Sequence, residues 1–134
     1  MDQRNRCRYW KTAVSLGWAY AKPDSGAPDY DMSEHYMIIA AENGLDQAAL
    51  NVGFSYADGK FHRKPLCEGI YTYILLGARL QSDGELTDSD VAAVQKIAKE
   101  HPRGETCLKQ ELVDAGIAES KRLYDAWKTR YDAQ

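Results

Sequence analysis

Three histidines, three cysteines and one acidic run are the residues of this chain whose types could do chemistry. His35, His62 and His101 could serve as metal ligands or proton carriers, but none stands in an H-E-x-x-H pair or beside a cysteine at ligand spacing. Cys107 and His101 offer a nucleophile and a base, yet six residues of bent chain between them fix no geometry. Cys7, Cys67 and Cys107 are odd in number, far apart and outside any C-x-x-C pair, so they read as reduced, mostly buried thiols. The acidic stretch "SDGELTDSD" lacks the D-x-[DN]-x-[DN]-G order of a calcium loop. It reads as a turn followed by a helix whose acidic first residues suit the helix dipole. No metal and no cofactor is expected, and a non-enzymatic protein is the expectation.

The elements that would carry any site come from the periodicity. Shifting the chain by 36 residues lays "AVSLGWAY" (13 to 20) on "ALNVGFSY" (49 to 56). Ala13 meets Ala49, Leu16 meets Val52, Gly17 meets Gly53, Trp18 meets Phe54 and Tyr20 meets Tyr56. Small residues at i and i+4 with apolar ones at i+3 and i+7 lie on one helix face. A glycine inside a helix costs about 0.8 to 1 kcal/mol relative to alanine, so Gly17 and Gly53 imply a closely crossing partner helix. Each tyrosine covers that junction and needs a polar partner for its hydroxyl.

The partner helices follow in "MSEHYMIIAAENG", with Ser33 as candidate N-cap and Asn43-Gly44 as the stop, and in "LCEGIYTYILLGARLQSDG". Tyr36, Ile39 and Ala40 share one face of the former. Thr87-x-x-Asp90 predicts a capping box at the head of "LTDSDVAAVQKIAKEH". Two further helices are predicted in "ETCLKQELVDAG" and "ESKRLYDAWKTRY", with Gly116 in the turn between them and Leu123, Trp127 and Tyr131 on one side of the last.

The pattern A-x-x-L-G-x-x-Y-x-x-G followed by W-Y-x-x-x-A-A-x-x-G resembles the Sel1-like repeat, a relative of the tetratricopeptide repeat. Ala49, Val52, Gly53, Tyr56 and Gly59 fill its first part, and His35, Tyr36, Ala40, Ala41 and Gly44 its second. The first copy departs from it with Pro23 in "AKPDSGAPDYD", and the second with Thr72, Tyr73, Gly77 and Ala78 at the W-Y and Ala-Ala positions. Ile97, Ala98, His101 and Gly104 fit a third, degenerate copy. The resemblance implies an all-α fold, a short right-handed α-solenoid of antiparallel helix pairs in a single domain over 1–134. Its units would be repeat 1 at 7–44, repeat 2 at 45–84, a degenerate repeat 3 at 88–115 and a capping helix at 118–131.

In such solenoids the first helix of each pair lines the concave surface, and the residue after the glycine points to it. The resemblance thus implies a protein-binding strip of Lys11, Val14, Trp18, Gln47, Leu50 and Phe54. Aromatic anchors flanked by polar groups are what protein interfaces use as hot spots. The expected function is protein–protein interaction, with inhibitor, immunity protein or adaptor as roles that a small acidic module can fill.

Two rivals come from other classes. An enzyme could disperse its site over several helices, using Tyr56, His101 and nearby carboxylates. Residues 108–127 could instead form a DNA-binding helix-turn-helix, although Arg122 falls where an apolar residue is usual. The net charge of −3 excludes a general nucleic-acid or anionic-membrane surface. Charge is uneven all the same, with Arg4, Arg6, Arg8 and Lys11 basic at one end and Asp83, Glu85, Asp88 and Asp90 acidic later. With 134 residues, 44% of them apolar, one domain can build its own core. No apolar run approaches the roughly 20 residues of a membrane span, and the polar first residues precede no apolar leader region. A cytoplasmic protein, monomeric or weakly dimeric, with an unidentified protein partner and no nucleic acid or membrane, is the expectation.

Overall fold

The computed structural model describes residues 3–133, with side chains from Arg8 onward. Helices α1 (Gln3–Ala21), α2 (Tyr30–Glu42), α3 (Asp46–Ala57), α4 (Leu66–Gln81), α5 (Asp88–Glu100) and α6 (Gln110–Asp132) follow one another, with a 3₁₀ turn at Gly104–Leu108 before the last. The fold is all-α, with no strand among the described residues.

Local chemistry sets most of the boundaries. Asp29 caps α2 by accepting from the Met32 N–H at 3.0 Å. Ser33, expected as that cap, instead lies inside the helix and is buried, because the helix starts one turn earlier. Asn43 ends α2 and Gly44, at φ +100°, turns the chain into α3. The capping box of α5 forms in both directions, Asp90 N–H to Thr87 Oγ1 at 3.1 Å and Thr87 N–H to the Asp90 carboxylate at 2.9 Å.

Packing centres on α4, which is buried without interruption from Gly69 to Gly77. Along the first half of the chain each helix packs on the next: α1 on α2, α2 on α3, α3 on α4. In the second half the order changes. The broad partner of α4 is α6, while α5 lies on the 3₁₀ turn and more narrowly on α4. The far end of α6 reaches the α2–α3 junction, where Arg130 Nη2 donates to the Glu42 carbonyl at 2.9 Å.

The expected close crossing at Gly53 is present. A Cβ there would lie 2.4 Å from Ile74 Cγ1 and 3.0 Å from the Ile74 backbone nitrogen, so α3 meets α4 at a point with no room for a side chain. Gly116 has the same role and not the one expected. It lies in the interior of the continuous helix α6, where a Cβ would come within 2.3 Å of Tyr71 Cβ on α4. The glycine marks a helix crossing, so the predicted pair of C-terminal helices is one helix and the helix-turn-helix does not form. Residues 118–131 are the second half of this helix.

The cysteine reading is corrected as well. Cys67 and Cys107 form a disulfide, with Cα atoms 5.1 Å apart across 40 residues of sequence. Neither is a free thiol, and Cys107 is no nucleophile. Sequence spacing carried no sign of this, because the pairing depends on the 3₁₀ turn folding back onto the first turn of α4. Closing a loop of this length stabilises the fold by about 4 kcal/mol on the chain-entropy model. The side chain of Cys7 lies outside the described residues, as do those of Arg4 and Arg6.

Candidate functional site

The six strip residues divide into two kinds. Lys11 and Trp18 on α1, and Gln47 and Phe54 on α3, are exposed; Val14 and Leu50 are half-buried against the core. Leu50 fills the space beside Gly77 of α4, within 2.6 Å of where a Cβ of that glycine would lie, so it is a packing residue. Trp18 and Phe54 keep 42% and 44% of their surface open on two helices that both pack on α2. The ammonium of Lys22 lies 5.2 Å from the centre of the Trp18 ring, a cation–π contact that holds the indole at the surface.

The two repeat copies are not equivalent in depth. Val52 is fully buried, whereas its counterpart Leu16 is 39% exposed, and Tyr9 two turns further back is 55% exposed. The cause is packing: among the described residues α1 packs broadly on α2 alone. Leu16 thus adds apolar surface where the repeat alignment placed a core position, and Tyr9, outside that alignment, adds more. An internal repeat pattern does not encode which faces of a helix find partners.

Beneath the surface lies a polar network that was only half foreseen. The Tyr56 hydroxyl was expected to need a polar partner, and it donates to the carboxylate of Glu34 on α2. Glu34 is fully buried and also accepts from the backbone N–H groups of His62, at 3.0 Å, and Arg63, at 3.2 Å. In turn the Tyr56 oxygen accepts from the Lys64 N–H at 3.1 Å. Burial, followed by the neighbouring Glu34 charge, pushes the Tyr56 phenol well above its usual range. Glu34, Met37 and Ala41 stand at i, i+3 and i+7, so the register alone places this carboxylate on the core face.

Arg79 is the other buried charge among the described residues. Its Nε donates to Ser120 Oγ at 3.0 Å, its Nη1 to the Gly84 carbonyl at 2.7 Å and its Nη2 to the Ile117 carbonyl at 3.1 Å. Burial pulls its pKa down, while the charges of Asp125 and Glu85 oppose the shift. These bonds tie α4 to α6 and to the loop before α5; they are structural.

The histidines part company. His35 is exposed, its ring edge-on to Tyr36 with centroids 5.1 Å apart. His62 and His101 line one cleft between the α3–α4 loop and the turn after α5. Among the described residues no three His, Cys, Asp or Glu side chains converge as metal ligands, and no helix is long and apolar enough to cross a membrane. Compared with family models, with curated proteins and with solved structures, the chain matches none.

Proposed function

We propose that this chain is a Sel1-like docking module, a small stack of helix pairs that binds a partner protein through Trp18 and Phe54 and performs no chemistry of its own. One observation carries the reading: two large aromatic rings at equivalent repeat positions stay more than two-fifths exposed, while Tyr56, Tyr71 and Tyr73 are fully buried. Exposed aromatics flanked by Lys11 and Gln47 have the make-up of interface anchors. Such a module acts by covering a surface, which suits an inhibitor, an immunity protein or an adaptor. The Cys67–Cys107 bond favours an oxidising compartment over the cytoplasm first expected.

The test is affinity capture from the native host with the parent chain and with the Trp18→Ala/Phe54→Ala double variant. The expected result is a partner held by the parent and lost by the folded double variant. A partner held equally by both places the interface elsewhere.

A further inference from the structure

The α3–α4 loop and the turn after α5 face each other across a cleft of about 410 Å³, floored by the edge-to-face rings of Tyr56 and Phe61. Its walls carry His62 and Lys64 on one side and His101 and Arg103 on the other, and no carboxylate among the described residues lines it. In a chain of net charge −3, four cation-forming side chains lining one cleft, with only the exposed Glu68 paired to one of them, are not the average surface.

Their hydrogen-bonding capacity is largely unspent. Neither the Arg103 guanidinium nor the His62 ring has a protein partner among the described residues. His101 Nδ1 accepts the Arg103 N–H at 2.9 Å, which places the ring proton on Nε2 and leaves it a donor even when the ring is neutral. Lys64 has only the exposed Glu68 carboxylate at 4.0 Å, together with a longer-range influence on Glu119. The Glu34 carboxylate behind the loop is already taken up by Tyr56 and the backbone of His62 and Arg63.

Both walls are fixed in advance. One is pinned by those bonds to Glu34 and by the Lys64 N–H on Tyr56. The other is held by the Thr106 hydroxyl on the Arg103 carbonyl at 2.8 Å and the Gly104 N–H on the His101 carbonyl at 2.8 Å. The disulfide joins the two walls: Cys67 follows the cleft residue Leu66, and Cys107 lies four residues beyond Arg103. A ligand entering a cleft so fixed has little chain to order.

The geometry points to a binding site for the phosphoryl group of a small molecule in this cleft. A guanidinium, an ammonium and two imidazoles approaching from opposite walls suit a tetrahedral dianion with several acceptor oxygens better than a planar carboxylate. The volume falls in the range of small-molecule pockets, roughly 300 to 1,000 Å³. None of these residues belongs to the Trp18 and Phe54 strip, so the two readings stand or fall separately.

The experiment is a titration of the disulfide-intact chain with inorganic phosphate, with chloride at equal ionic strength as reference and acetate as the carboxylate arm. It is followed by calorimetry and by the ring signals of His62 and His101. The expected result is a saturable response of both rings to phosphate alone, weakened about tenfold by Arg103→Ala or by Lys64→Ala. Arg103 is exposed and its side chain holds nothing else, so its variant keeps the parent melting temperature and reports on the site itself. No saturable response to phosphate, equal binding of acetate, or parent affinity in Arg103→Ala overturns the assignment.

Discussion

The Tyr56 hydroxyl donates to the carboxylate of Glu34, joining α3 to α2 across 22 residues of sequence. That bond sets two polar groups in the middle of an apolar seam. Tyr56→Phe leaves the Glu34 oxygen and the Lys64 N–H each short of a partner, and is expected to cost about 1 to 3 kcal/mol in urea denaturation. Glu34→Ala, which strips three donors at once, is expected to cost more. Equal stability of Tyr56→Phe and parent would show the bond to be idle.

Alkaline pH tests the same network from another side. Tyr56, Tyr71 and Tyr73 all have phenols raised above the ordinary tyrosine value of 10.0, in each case chiefly by burial. A raised folded-state pKa means that the folded chain holds the proton more tightly than the unfolded chain. Their contribution is therefore complete below about pH 10 and is lost as pH rises beyond it. Stability is expected to fall above pH 10, and Tyr73→Phe to flatten that fall, as read by denaturation at stepped pH.

At the helix crossings, substitution discriminates packing from turn chemistry. Gly53→Leu is expected to overpack Ile74 and destabilise by about 1 to 3 kcal/mol or more. Gly116→Ala would be harmless or mildly stabilising in an exposed helix, but against Tyr71 Cβ it is expected to lower the melting temperature. An unchanged transition in either variant would count against the crossing.

Reduction of Cys67–Cys107 is expected to remove about 2 to 4 kcal/mol, measured by denaturation with and without reductant. The same comparison on Cys67→Ser should show no effect of reductant, which assigns the loss to this bond.

Trp18→Ala and Phe54→Ala remove rings that are more than two-fifths exposed, so each is expected to cost about 1 to 2 kcal/mol, less than the roughly 3 to 5 kcal/mol of a fully buried ring. A larger loss would make the rings part of the core and not anchors.

Much of the helical framework was legible because it is written in local chemistry. The repeat alignment located Gly53 and its crossing, Asn43-Gly44 stopped α2, and Thr87 and Asp90 capped α5 as their spacing required. What stayed hidden depends on distant chain. Gly116 has the same side chain in a turn and in a crossing, and only Tyr71, 45 positions away, decides between them. Cys67 and Cys107 offered no spacing rule, since their meeting is set by how the 3₁₀ turn docks. His62 and Arg103 come from segments with no shared pattern, so the cleft they line has no sequence signature.

The bond from Arg130 to the Glu42 carbonyl spans 88 residues, and Trp127 beside it covers Gly44 in the turn between α2 and α3. In an open array each unit leans only on its neighbours and can melt from an end. Here α6 is stitched to the α2–α3 junction, so these two distant stretches share one fate. Loss of the last turn of α6 should loosen the α2–α3 junction as well, and the intact chain should unfold in a single step rather than unit by unit.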